Sequence, residues 1–179
     1  TRRFCAIGET GIDLYWDASY IEEQKIAFRR QIQWAKELGI PVIIHSREST
    51  EHILEMLEAE QDGKLYGILH CFTGTSEQAN RAIDLGFWLG IGGVLTFKNA
   101  GLDKTVRQIP LEYLVLETDS PYLAPVPYRG KRNESAYIRL VAEKLAELKE
   151  TNLAHVSAVT SSNAEKIFHK KNTTHTTLS

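Results

Sequence analysis

Glu9, His45, His70 and Asp119 are the side chains of this 179-residue sequence best suited to hold a divalent cation. Each belongs to the end of a different apolar run. Glu9 follows FCAIG (4–8), His45 closes PVIIH (41–45), His70 lies in LYGILHC (65–71), and Asp119 stands just beyond YLVL (113–116). Parallel α/β proteins build their sites at the C-terminal ends of strands, so these residues are expected to converge there. Carboxylate oxygens and imidazole nitrogens together suit magnesium, manganese or zinc, and the lack of a thiolate cluster disfavours a structural zinc site. Taken singly, each residue also has a plainer reading. A lone strand-end histidine is usually a hydrogen-bonded loop residue, and a lone acid is usually a cap or an ion-pair partner.

A basic group lies at the same edge. Arg129, Lys131 and Arg132 occupy the loop after the fifth apolar run, and Arg47 stands two residues past His45. Arginine presents a fork matched to phosphate oxygens, so Arg129 and Arg47 are candidate substrate-binding residues; a solvated loop is the alternative. Lys98 is a weaker candidate. Tyr15, Trp16, Phe72 and Tyr122 also fall in strand-end loops. They are read as loop packing, with base stacking as the functional alternative. Glu117 shares a strand face with Asp119 and is either a partner that orients ligands or an interior residue. Cys5 and Cys71 are read as small core residues, Cys71 because adjacent strand residues face opposite ways.

The elements that must position these residues alternate between apolar runs and helical patterns. The runs 4–8, 41–45, 65–71, 87–91 and 113–116 are read as strands. Between them, Ser19 with Glu22 and Thr75 with Gln78 have capping-box spacing. Ile26, Ile32, Ala35 and Leu38 make a helical face that ends at Gly39 and Pro41. Ile53, Met56 and Leu57 mark a helix with its end at Gly63, and Leu102, Val106 and Ile109 a short one. Ile138, Val141, Ala142, Leu145 and Leu148 form a longer helix after a loop over 120–133, and 154–168 holds one or two more helical pieces. Strands apolar on both faces and separated by helices predict a parallel sheet covered by helices.

Composition bounds the rest. Hydrophobic residues are 42%, charged residues 25%, and the formal net charge is −2. These are ordinary values for a globular chain and argue against blanket electrostatic binding to nucleic acid. No apolar run reaches the roughly 18 residues of a membrane span. Two cysteines fit a reducing compartment, and the expected location is cytoplasmic. The expected organisation is one domain over 1–169 with a polar, Thr-rich, disordered tail over 170–179.

The segments AIGETGID (6–13), PVIIHSRES (41–49), ILHCFTG (68–74), ETDSPYLAP (117–125) and RGKRNE (129–134) occur in an order and spacing that resemble the TatD family of metal-dependent deoxyribonucleases. The resemblance covers residues 4 to about 168. It implies a TIM (β/α)8 barrel with two divalent metal ions at its C-terminal mouth and hydrolysis of DNA phosphodiester bonds. By resemblance, Glu9 bridges the ions, His45 and His70 hold one, and Asp119 holds the other and serves in catalysis with Glu9. The family begins with a His-x-His strand, and no His-x-His occurs in this sequence. The expected fold is therefore a partial TIM barrel of about five parallel βα units, with the first three strands absent. A whole barrel takes roughly 250 residues. Ser135 stands where the family usually has Pro, a minor change at a helix start. The open sheet edges predict either a larger protein or association with another chain. Two other functional readings stay open: an ester, lactone or amide hydrolase with the same mouth, and a non-catalytic fragment.

Overall fold

The computed structural model describes residues 4–169, and the expected tail over 170–179 lies outside the described residues. The elements are β1 (Ile7–Asp13), α1 (Ile21–Leu38), β2 (Val42–Arg47), α2 (Thr50–Glu60), β3 (Gly67–Leu69), α3 (Ser76–Asp84), β4 (Phe87–Ile91), α4 (Leu102–Gln108), β5 (Leu114–Leu116), α5 (Ile138–Leu148) and α6 (Leu153–Phe168). Among the described residues the five strands form one open sheet in the order β1-β2-β3-β4-β5, and every neighbouring pair is parallel. Order that follows the chain without reversal is the order of a TIM barrel, whereas a doubly wound sheet reverses direction part-way.

Period-two alternation divides the sheet into two unlike faces. Ile12, Val42, Ile44, Leu69, Leu89, Ile91 and Leu114 point into the helix layer, where they pack with Phe28, Ile32, Leu54 and Leu57. On the opposite face Ile43, Ile68, Trp88 and Val115 form a smaller apolar layer, closed by Ala164 and Ile167 of α6. Advancing two residues along each of these strands on that same face gives His45, His70, Gly90 and Glu117. The inner face therefore changes from apolar to polar within one step of the pleat, and the polar step is the mouth.

β1 departs from the expected run at 4–8. It starts at Ile7 and continues through Glu9 to Asp13. Its pairing with β2 slips between Ile7 and Thr10, with Ile7 opposite Val42 and Thr10 opposite Ile44. Gly8 and Glu9 thus oppose Ile43 alone, a bulge that resets the alternation and sends Glu9, Gly11 and Asp13 to the inner face. A Cβ on Gly11 would lie 1.9 Å from the His45 carbonyl oxygen, so only glycine permits this close approach of β1 to β2. At the outer edge of β1, the Gln24 side chain accepts from the Asp13 N–H at 2.8 Å and donates to the Asp13 carbonyl at 3.1 Å. It takes the place of a neighbouring strand at that residue.

Other expectations are corrected locally. The Ser19–Glu22 box does not form: Asp17 takes the Ser19 N–H at 2.8 Å, and α1 starts with Tyr20 as its N-cap without a side-chain cap. The Thr75–Gln78 box is present at the start of α3. Helix α2 ends at Gln61, before Gly63, and residues 153–168 form a single helix. Cys5 is exposed and Cys71 only half-buried, so neither is a core residue. Cys71 has φ 45°, which ends the strand geometry that the alternation argument assumed. No helix among the described residues is long and apolar enough to cross a membrane.

Ile44 is fully buried in the second strand from the sheet's β1 edge and contacts the α-helical layer. Ile44→Ala is expected to lower unfolding free energy by about 2–5 kcal/mol in urea titrations. A loss under about 1 kcal/mol would contradict the placement of the core on this face.

Candidate metal centre

The polar step of the inner face gathers four carboxylates around two imidazoles. Glu9 Oε1 lies 2.9 Å from His45 Nδ1 and 3.7 Å from His70 Nε2. Asp119 Oδ1 lies 3.6 Å from the same His70 nitrogen. Asp13 Oδ2 lies 2.9 Å from His45 Nε2, and the Glu117 carboxylate 3.1 Å from His70 Nδ1. One ligand atom each from Glu9, His45 and His70 falls within 4.8 Å of the other two, close enough to share one cation. The donor set is two imidazole nitrogens and carboxylate oxygens, which fits zinc, manganese or magnesium.

Each histidine presents one ring nitrogen to Glu9 and gives the other to a further carboxylate. Glu117 fixes His70 from across the sheet. Its side chain starts one residue past β5, crosses β4 at Gly90, and accepts from His70 Nδ1–H and from the Cys71 N–H at 2.6 Å. A Cβ on Gly90 would lie 2.2 Å from Glu117 Oε2, so the crossing exists because position 90 has no side chain. Asp13 plays the corresponding part for His45. Its other oxygen accepts the Tyr15 N–H at 2.9 Å. Carboxylates placed behind ligand histidines set the tautomer and the ring orientation.

Asp119 sits three residues past β5 with φ 55°, a left-handed conformation that Asp tolerates better than most residues. The loop behind it is held by buried Asn133, whose Nδ2 donates to the Thr118 carbonyl at 2.6 Å and the Tyr122 carbonyl at 2.7 Å.

The excess of negative charge shows in the acid–base properties. The hydrogen bond to Glu117 raises the His70 pKa from 6.5 to about 8 against the opposing effect of burial, with help from the charges of Glu9 and Asp119. Burial, then Glu117 and Glu9, raise the Asp119 carboxyl above its ordinary value despite His70. Burial of Asp13 opposes ionisation, but the Tyr15 N–H, His45 and Arg47 outweigh it and hold that carboxyl low. The Cys71 thiol is pushed up to about 12 by burial and the surrounding carboxylates, so it stays protonated.

Glu9, His45, His70 and Asp119 are thus brought together, but the two arginines are not drawn into the cluster. The Arg47 guanidinium lies 3.5 Å over the Tyr15 ring, and that of Arg129 lies 4.4 Å over Phe97. The Arg129 loop is further steadied by Tyr128, which stacks on Tyr137 at 4.3 Å. Of the four loop aromatics only Phe72 is packed inside; Tyr15, Trp16 and Tyr122 are exposed. Asp13, Gly90 and Asn133 are the site residues that sequence reasoning passed over. Asp13 and Asn133 stand in the quoted segments 6–13 and 129–134, and only the placement of His45 and Asp119 reveals what they do.

The family model for TatD related DNase matches residues 1–169. The chain belongs to that family. It is 46% identical over 164 residues to the uncharacterized metal-dependent hydrolase YabD of Bacillus subtilis, covering 91% of this chain and 64% of that protein. It is 37% identical over 169 residues to the 3'-5' ssDNA/RNA exonuclease TatD of Salmonella typhimurium, covering 91% of this chain and 65% of that protein. Among solved structures, the TatD homologue YJJV of Escherichia coli superposes with TM-score 0.86 at 28% identity, over 92% of this chain and 63% of that one. The chain spans a little under two thirds of the length of these relatives.

Both the metal-free chain and its uptake of manganese should respond to pH through His70. The His70 imidazole should titrate near pH 8 by NMR, and Glu117→Gln should lower its midpoint, since the carboxylate is lost and burial remains. Because folding raises this pKa, the protonated His70 stabilises the fold fully below about pH 6.5, and that contribution is lost as pH rises through about 8. Manganese affinity by calorimetry should therefore strengthen with pH up to about 8, as the proton on the cluster is displaced, and then level off. Glu117→Gln should also weaken metal binding by about 10–100-fold. An unchanged midpoint and unchanged affinity in that variant would contradict the orienting role.

Proposed function

We propose that this chain carries the metal-binding and catalytic residues of a divalent-metal-dependent hydrolase that cleaves the phosphodiester bonds of DNA. The observation that carries the reading is the cluster itself: two imidazoles and four carboxylates on one face of the sheet, with Glu9, His45 and His70 close enough to share a cation. The names of the relatives, a metal-dependent hydrolase and an ssDNA/RNA exonuclease, support it.

In this reading Glu9, His45, His70 and Asp119 would hold the metal, with Glu9 between the two histidines and free to serve a second ion if one binds. A divalent cation bound there supplies Lewis-acid polarisation of a phosphoryl oxygen and makes water acidic enough to ionise near neutral pH. Asp119 accepts the proton of the attacking water at a carboxylate oxygen. Asp13 and Glu117 keep the two imidazoles aimed inward throughout. Arg47 and Arg129 are steadied by their aromatic partners, so the edges of their guanidinium groups remain available to non-reacting phosphate oxygens. Association with further polypeptide is part of the proposal. It would cover the edges of β1 and β5 and the apolar groove beside β5 formed by Leu116, Ile138, Ala142 and Leu153.

Manganese or magnesium is expected to support cleavage of a single-stranded DNA oligonucleotide, and a chelator to stop it. Asp119→Ala should lower the rate roughly 10²–10⁴-fold with an unchanged circular dichroism spectrum. Arg129→Ala should raise KM while metal content stays constant. Wild-type turnover in Asp119→Ala would sink the role given to that residue.

A further inference from the structure

Trp16 is 82% exposed and its neighbour Tyr15 is 47% exposed, both in the loop that follows β1. Rings of this size are usually buried, because each carries roughly 150–250 Å² of largely apolar surface. These two are not loose. Tyr15 packs edge-on against Trp16 with centroids 4.8 Å apart at 88°. Arg47 caps the Tyr15 face at 3.5 Å and stands 6.0 Å from the Trp16 ring. The Leu14 N–H extends the ladder to the Arg47 carbonyl at 3.0 Å. The Tyr15 N–H is fixed to Asp13, whose second oxygen faces His45. An aromatic and cationic surface therefore lies beside the same carboxylate that orients one imidazole of the cluster, joined to it through the Tyr15 N–H.

We propose that Trp16, with Tyr15 and Arg47, forms a subsite for an unpaired nucleobase, stacking on the base next to a backbone phosphate held at the cluster. This deepens the phosphodiesterase reading and rests on it. A flat, exposed ring beside a guanidinium matches a base joined to a phosphate. It selects unpaired bases, since a base within a duplex has both faces already covered. Two rings and one cation offer far less surface than the roughly 1,200–2,000 Å² that a stable protein interface buries. A small ligand unit suits the patch better than a partner protein.

The test measures binding separately from hydrolysis. The full chain, loaded with calcium in place of manganese at fixed salt so that the cluster can hold a phosphate, is titrated with a ten-residue oligothymidylate and with an abasic oligomer of equal length, and binding is read by anisotropy of a dye on the oligomer. Trp16→Ala should weaken oligothymidylate binding about tenfold, a stacking free energy of the usual size for one base. The abasic oligomer should bind wild type and variant alike, and both only as tightly as the variant binds oligothymidylate. Trp34→Ala, in the last turns of helix α1, should match wild type. Equal oligothymidylate affinity in wild type and Trp16→Ala would overturn the proposal, as would equal affinity of wild type for the two oligomers or no binding at all. A Trp16→Ala variant that changes sedimentation but not oligothymidylate binding would assign the patch to a protein contact instead. Adding manganese afterwards separates the two claims. Trp16-dependent binding without cleavage rejects the hydrolase reading and keeps the subsite, whereas cleavage with Trp16-independent binding does the reverse.

Discussion

Four carboxylates share a small volume with two imidazoles, and this charge imbalance is the condition to which the rest of the site answers. Two unit charges about 4 Å apart repel by roughly 4 kcal/mol at an effective dielectric of 20. Glu9, Asp13, Glu117 and Asp119 find their ion-pair partners in His45 and His70 among the described residues, and no lysine or arginine pairs with them at close range. The raised pKa of His70 answers this imbalance: the hydrogen bond to Glu117, with the charges of Glu9 and Asp119, favours the protonated ring. A divalent cation would offset more of it, and would do so through the oxygen and nitrogen donors already turned inward. A structural ion-pair network has no reason to leave such an excess, because it could pair each acid with a surface base.

The fold tolerates this because its core is elsewhere. Helix-facing residues of every strand pack in the main core, while the inner face needs only a thin apolar layer closed by α6. Parallel register then carries the inner row of each strand to the same level, so that residues far apart in sequence meet. Fine placement comes from local departures from regularity. The bulge at Gly8 and Glu9 turns Glu9 toward His45. The bare Cα of Gly90 lets Glu117 reach His70, and Asn133 fixes the loop that bears Asp119. Such irregularities are expected where a scaffold gives up packing for chemistry.

Elements with a conventional core were legible in the sequence. The run 87–91 became β4 without change, and the Thr75–Gln78 box formed as its spacing required. Errors fell where chemistry replaces packing. The expected strand 4–8 stops short of ETGID, whose inner-facing positions are polar or glycine, yet ETGID is the larger part of β1. Cys71 was placed by an alternation that stops at His70. Asp17 takes the Ser19 N–H that Glu22 would have accepted, a competition between neighbouring side chains that spacing cannot rank. The ligand types at the mouth could be picked out by their positions after apolar runs. Of the residues behind them, Glu117 was one of two readings that its contact with His70 decides, whereas Asp13 was not legible, since it gains its meaning only from a contact across strands.

The most direct measurement is the anomalous scattering of manganese in crystals of this chain. A peak within coordination distance of Glu9, His45 and His70, with Asp119 at its margin, is the predicted result. Crystals soaked to saturation that show these side chains turned apart, with manganese bound elsewhere or nowhere, would contradict the account.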